Sequence, residues 1–197
     1  MKKTFLTKTI FVAFLLAAVS FASYAQIRIG VRAGANLARI SGDDDDDNAM
    51  KFGFHVGGMV HIPIQGRLCF QPEVLFSGKG TQSKEESDYK LSLNYVDIPI
   101  LFNYRLENGI YVEAGPTVGV LVSAKTKFDG DSEDVKDSFK ASDIGAAIGA
   151  GYRADMGFSL GIRYQLGISN IADDDDFSLR NNVLMFTIGY LFGEEHE

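Results

Sequence analysis

From Ile27 onward the chain alternates between apolar and polar positions with a period of two. Ile27, Ile29, Val31, Ala33, Ala35 and Leu37 fall on one face, and Arg28, Gly30, Arg32, Gly34, Asn36 and Ala38 on the other. Successive strand side chains point to opposite faces, so this run predicts a strand about twice the usual length. The pattern returns after each loop. Phe52, Phe54, Val56, Val60 and Ile62 alternate with Lys51, Gly53, His55, Gly57 and His61; Leu68, Phe70, Val74 and Phe76 alternate with Cys69, Gln71, Glu73 and Ser77.

A fourth strand spans 89–105, with Val96, Ile98, Ile100, Phe102 and Tyr104 opposite Tyr95, Asp97, Pro99 and Asn103. Leu91 and Leu93 have the other parity, which predicts a bulge near Asn94. Beyond the tight turn Glu107-Asn108-Gly109, the fifth strand sets Ile110, Val112, Ala114, Val118, Val120 and Val122 against Tyr111, Glu113, Gly115, Thr117, Gly119 and Ser123. The sixth carries Ile144, Ala146, Ile148, Ala150 and Tyr152, the seventh Phe158, Leu160, Ile162, Tyr164, Leu166 and Ile168, and the eighth Leu184, Phe186, Ile188, Tyr190 and Phe192. Connections are short near 63–66, 107–109 and 155–157, and long and polar at 40–49, 81–88, 126–138 and 172–179.

An even number of strands joined by alternating short turns and long loops predicts an eight-stranded antiparallel up-and-down transmembrane β-barrel. Periodicity alone does not say whether the apolar face meets lipid or a soluble barrel's interior. The polar face decides: it is rich in Gly, Ser and Ala with isolated charges, which suits a narrow bore and makes a poor water-facing surface. Tyr104, Tyr152, Phe158, Tyr190 and Phe192 cluster toward the short-turn ends of the apolar face, where an interfacial girdle belongs.

The first residues change the picture of where the chain goes. Lys2, Lys3 and Lys8 precede an apolar run from Thr9 to Phe21, and Ser23-Tyr24-Ala25 follows. This is the layout of a secretory signal peptide over residues 1–25; the apolar run is shorter than the about 20 residues a membrane helix needs. Residues 26–197 then form one domain. Loss of three lysines takes the formal charge from −7 to −7 − 3 = −10, so nucleic acid, whose phosphates require clustered Lys and Arg, is excluded as a partner. The single cysteine, Cys69, rules out an intramolecular disulfide.

Lipid outside places Arg32, Glu73, Asp97, Glu113 and Arg163 in the bore at similar heights, with Lys51, His55, Asp143, Arg28 and Arg153 nearer its ends. Opposite charges in so narrow a space are expected to pair as an ion-pair network. Two aspartate runs, Asp43, Asp44, Asp45, Asp46 and Asp47 in the first long loop and Asp173, Asp174, Asp175 and Asp176 in the last, form a hydrated acidic rim. At most they are a weak divalent-cation patch, since neither has the spacing and central glycine of an EF-hand. A hydrolase or acyltransferase needs a nucleophile, a histidine and an orienting acid. Only His55 and His61 lie in the strands, with His196 in the tail, and no catalytic set or cofactor site is expected.

The segment Phe70-Gln71-Pro72-Glu73-Val74-Leu75-Phe76-Ser77-Gly78-Lys79-Gly80 resembles the outer-membrane β-barrel domain family often labelled porin-like or PorT-like. Tyr95-Val96-Asp97-Ile98-Pro99-Ile100-Leu101, Tyr111-Val112-Glu113-Ala114-Gly115-Pro116, and Arg163-Tyr164 followed by Gly167-Ile168-Ser169-Asn170-Ile171 agree in the same order. The resemblance implies an integral outer-membrane barrel surrounded by lipid and lipopolysaccharide, delivered by the barrel-assembly machinery. It carries no catalytic or ligand residues and names no protein partner. It leaves a structural or surface-interaction role with a plugged bore as the expectation, a small pore or transport-associated barrel as the alternative, and a lipid-modifying enzyme behind both. Pro99, in a closed barrel, is expected to mark a bulge or irregular pairing.

Overall fold

The computed structural model describes residues 27–42, 48–83, 90–128, 131–174 and 178–193. The expected signal segment, 1–25, lies outside them. Strands β1 (Arg28–Ser41), β2 (Asn48–Gln65), β3 (Leu68–Ser83), β4 (Lys90–Arg105), β5 (Ile110–Phe128), β7 (Ser142–Arg153), β8 (Phe158–Gly167) and β9 (Arg180–Leu191) pair antiparallel in a closed ring. The ring closes where β1 meets β9, from Gly30 opposite Leu191 to Ser41 opposite Arg180. No helix among the described residues is long and apolar enough to cross a membrane; in a closed ring each strand pairs its backbone with a neighbour on both sides, the condition for a strand to lie in hydrocarbon.

Alternation sorts the side chains inside out. Ile148 on β7 is 65% exposed, whereas Arg163 on β8, opposite the next residue, Gly149, is 2% exposed. Ile29, Val31, Phe54, Val74, Val120, Leu160 and Ile188 likewise face outward and exposed, while Arg32, Glu73, Asp97, Glu113 and Gln165 are buried. Near the short turns Tyr104, Tyr152, Phe158, Tyr190 and Phe192 all face outward, and Tyr190 meets Phe192 edge-on with centroids 5.2 Å apart. Because Ile148 lies two outward positions above Tyr152, an arginine there would sit deep in hydrocarbon. Ile148→Arg is expected to lose about 2–4 kcal/mol in urea unfolding from vesicles, and Ile148→Leu essentially nothing.

Several local expectations are corrected. Leu91 and Leu93 do not reach the outer face through a bulge in β4: the inward alternation 91, 93, 95, 97 is unbroken, and both leucines are buried inside. The irregularity does sit at the level of Asn94, but the extra residue is on β5. Asn94 faces Ser123 and Tyr95 faces Leu121, so Val122 is unmatched and the parity of β5 flips above it, turning Ala124 inward. At Pro99 the register is kept on both sides, but the paired positions step from Ile100–Pro72 to Asp97–Leu75 on one side and from Pro99–Thr117 to Phe102–Ala114 on the other. Proline there interrupts the ladder without adding a residue. The connection read as a polar loop at 126–138 instead contains strand. β5 runs on to Phe128 and folds back as β6 (Asp131–Asp134), which pairs only with β5, and a 3₁₀ turn follows at Lys136–Ser138.

Candidate functional site

The chemistry of this fold is inside the bore, where inward-facing residues of distant strands meet in layers. At mid-height Arg163 on β8 holds Glu73 on β3 in a two-pronged contact, Nη1 to Oε2 at 2.8 Å and Nη2 to Oε1 at 2.9 Å. Its Nε donates to Glu113 Oε1 on β5 at 2.7 Å. Arg32 on β1 approaches the same two acids from the other side, Nη1 lying 2.9 Å from Glu73 Oε1 and 3.6 Å from Glu113 Oε2. Two guanidinium groups and two carboxylates thus form a neutral, fully buried quartet. A planar fork matched to a carboxylate is the strong form of this contact.

Asp97 is not part of that quartet. It accepts from Lys79 Nζ at 2.9 Å, and Lys79 also donates to Asp143 Oδ2 at 3.1 Å. Asp97 and Asp143 lie on β4 and β7 either side of Gly119 on β5, which faces both in the pairing. The absence of a side chain at Gly119 lets both acids lean over it; a Cβ there would come within 2.6 Å of Asp97 Oδ1. Asn181 Nδ2 donates to Asp143 Oδ2 at 3.0 Å, and Lys79 lies over the Tyr95 ring at 4.7 Å. Lys79 is the residue that sequence reasoning left out. The signal was there: the inward series Glu73, Leu75, Ser77 continues to Lys79 with the same parity.

Between these layers the histidine nearest the centre has a settled role. Asn36 Nδ2 donates to the Phe54 and Gly78 carbonyls at 3.2 and 3.0 Å, which fixes its amide orientation. Asn36 Oδ1 is then an acceptor, so His55 Nδ1, 2.7 Å away, must be the protonated nitrogen. Nε2 is left to accept from Thr187 Oγ1 at 3.2 Å. His61 likewise faces an amide, with Nδ1 3.2 Å from Gln71 Oε1. Among the described residues His55 bonds an amide and a hydroxyl and no carboxylate.

Above the Lys79 layer the bore turns apolar. Ile40, Leu91, Leu93, Tyr95, Leu121, Ala124 and Ile171 form one buried cluster, with Val135, Phe139 and Leu179 packed on it. Ile171 comes from the β8–β9 connection, and the backbone holds it in place. Its N–H donates to Leu179 O at 2.9 Å, and its carbonyl accepts from Lys140 N–H at 2.8 Å. Phe139 and Ala172 form an antiparallel bridge, and Asn170 Oδ1 accepts from the N–H groups of Ala172 and Leu179 at 3.0 and 2.9 Å.

At the opposite, short-turn end stand Arg28, Arg153, His61, Gln71, Asn103 and Tyr111. Arg153 donates from Nη2 to Gln71 Oε1 at 3.1 Å and lies over the Tyr111 ring at 5.2 Å. Lys51 is at the outer end, donating to the Lys79 carbonyl at 3.3 Å. Of the two acidic runs only Asp173 and Asp174 are among the described residues, both exposed; Asp43 to Asp47, Asp175 and Asp176 lie outside them. The flanks of the two loops do meet, since Gly42 abuts Leu179 and the Ser178 carbonyl. Among the described residues no group of three or more His, Cys, Asp or Glu could hold a metal ion.

Comparison with known proteins matches residues 21–173 to the profile of a family described as outer membrane protein beta-barrel domain. Among solved structures, the crystal structure of Neisserial surface protein A is similar over 83% of this chain and 97% of its own, at 15% identity and a TM-score of 0.56. Ail, the attachment invasion locus protein of Yersinia pestis, is similar over 84% and 98%, at 17% identity and 0.47. The outer membrane protein OprG of Pseudomonas aeruginosa is similar over 84% and 95%, at 10% identity and 0.43. A comparison with curated protein sequences gave no match. The likeness to Neisserial surface protein A is one of fold.

Proposed function

From the premise that this chain belongs to the outer membrane protein beta-barrel domain family and is integral to the bacterial outer membrane, we propose that it is a closed barrel with a structural or surface-interaction role. It neither conducts nor catalyses; its outer loops make the contacts that matter, in a surround of lipid and lipopolysaccharide. The observation that carries this reading is the apolar cluster across the outer third of the bore, with Ile171 seated between Ile40, Leu91, Leu93 and Leu121. Water and ions would have to displace packed side chains there, and below it the charged layers fill the same cross-section. Eight strands enclose only enough space for side chains to fill. The exclusion of catalysis is supported by His55, whose ring is held between the Asn36 amide oxygen and the Thr187 hydroxyl, with no carboxylate among the described residues to orient it as a base.

Single-channel recording of the refolded protein in planar bilayers tests the reading. The expected result is a flat baseline at ordinary holding potentials. Reproducible unitary steps would overturn it in favour of a small pore, and turnover of labelled lipopolysaccharide would overturn it in favour of an enzyme.

A further inference from the structure

Arg32, Arg163 and Lys79 each have a carboxylate within 2.9 Å. Arg153 differs. It is 1% exposed, and its contacts are the Gln71 amide oxygen, the Tyr111 ring and His61 Nδ1 at 3.5 Å, none of them a carboxylate. Among the described residues no carboxylate is paired with it, and its Nε has no hydrogen-bond partner. Arg28, also buried, lines the same end of the bore. Asn103 lines the same end, opposite Cys69 in the β3–β4 pairing; it is fully buried and both its amide atoms are without partners. Solvent can supply hydrogen bonds to such groups, but it does not supply charge, and a buried cation without a carboxylate partner is costly.

The chemistry that resolves this is an oxyanion. A guanidinium with a free Nε presents a fork that fits carboxylate or phosphate oxygens, and a neighbouring amide NH₂ offers a further donor. Access is from the short-turn end, where the connections are only 66–67, 106–109 and 154–157. We propose that the periplasmic third of the bore binds an oxyanion, a carboxylate or phosphate group, with Arg153 as its anchor and Asn103 as a lining donor. This goes beyond the closed-barrel reading and does not depend on it. Two sources could supply the group: a periplasmic solute, or the chain's own carboxylates at Glu194, Glu195 and Glu197, which follow β9 in sequence.

The test uses the barrel refolded in nanodiscs, as the full chain and as a chain ending at Gly193, with arginine Nε–H signals followed by NMR during titration with inorganic phosphate at constant ionic strength. One signal, missing in Arg153→Gln, is expected to shift saturably at millimolar phosphate in the shortened chain. The same saturable shift in the full chain assigns the site to solutes. A full-chain signal already displaced, and moved by shortening instead of by phosphate, assigns it to the tail. As a readout independent of NMR, saturating phosphate should raise the unfolding temperature of the shortened chain and leave that of Arg153→Gln unchanged. If Arg153→Gln does not fold, Arg153→Lys keeps the charge without the fork and should weaken phosphate binding by about tenfold or more. Absence of a saturable shift in both chains, or an equal drift of all arginine signals, overturns the proposal.

Discussion

Arg163→Met is expected to lower the stability of the membrane-inserted barrel by about 3–5 kcal/mol, the usual cost of removing one side of a buried ion pair. Arg163 supplies three of the quartet's charge-assisted contacts, two to Glu73 and one to Glu113. Without it, Arg32 alone faces both carboxylates, and one negative charge is left uncompensated. Glu113→Gln produces the opposite imbalance and should also destabilise. The double variant restores neutrality, leaving Arg32 with Glu73 at 2.9 Å, so its loss should fall short of the sum of the single losses by about 0.5–3 kcal/mol. Urea unfolding from vesicles measures all three. If both single variants lie within about 0.5 kcal/mol of the parent, the quartet contributes nothing and this account of the bore is wrong.

A larger local effect is expected from one methyl group on β2. A Cβ at Gly57, which faces inward, would lie 1.9 Å from the Val74 carbonyl oxygen and 2.8 Å from the Leu75 Cα. Both are backbone atoms of the paired strand β3, so relief requires the strands to separate. At Gly58, one position on and facing outward, the nearest atom is the Gly30 carbonyl oxygen at 3.7 Å, an ordinary contact. Gly57→Ala should therefore cost at or above about 3 kcal/mol, the upper end of overpacking, and sharply reduce the yield of refolded barrel. Gly58→Ala should refold like the parent. The heat-modifiable gel shift of each variant reads this directly; equal refolding of the two would remove close strand approach as the reason for glycine here.

The same crowding explains why the polar face is so rich in glycine. Inward Cβ atoms at Gly34 and Gly115 would meet the Phe186 and Ile100 carbonyls at 1.9 and 2.1 Å. Period-two alternation told which face each of these residues occupies, and with it the ring of eight strands and the outward aromatic band. It did not tell which inward residues touch. Contact across a bore depends on strand tilt and stagger, which alternation does not encode: Asp97 has the parity of Glu73 and Glu113, yet its partner is Lys79. Alternation also misled where an inward position is itself apolar. Leu91 and Leu93 look like outward residues out of phase, and only their packing with Ile171 shows that they belong to an internal cluster. The bulge was legible as a break in phase, but the break occurs on β5 at Val122, because Leu91 and Leu93 keep their strand's inward phase and β5 alone carries the extra residue.

The seam between β1 and β9 joins the first strand of the ring to the last through twelve registered pairs. A growing or refolding chain therefore keeps two open edges until its final strand arrives, and each is a row of unpaired peptide groups able to pair with other chains. Every other adjacent pair in the ring is close in sequence; this one spans nearly the whole domain, and such distant pairings are slow to form. Closure of the seam is then the step that commits the molecule, and the time before it is the period of greatest exposure to aggregation.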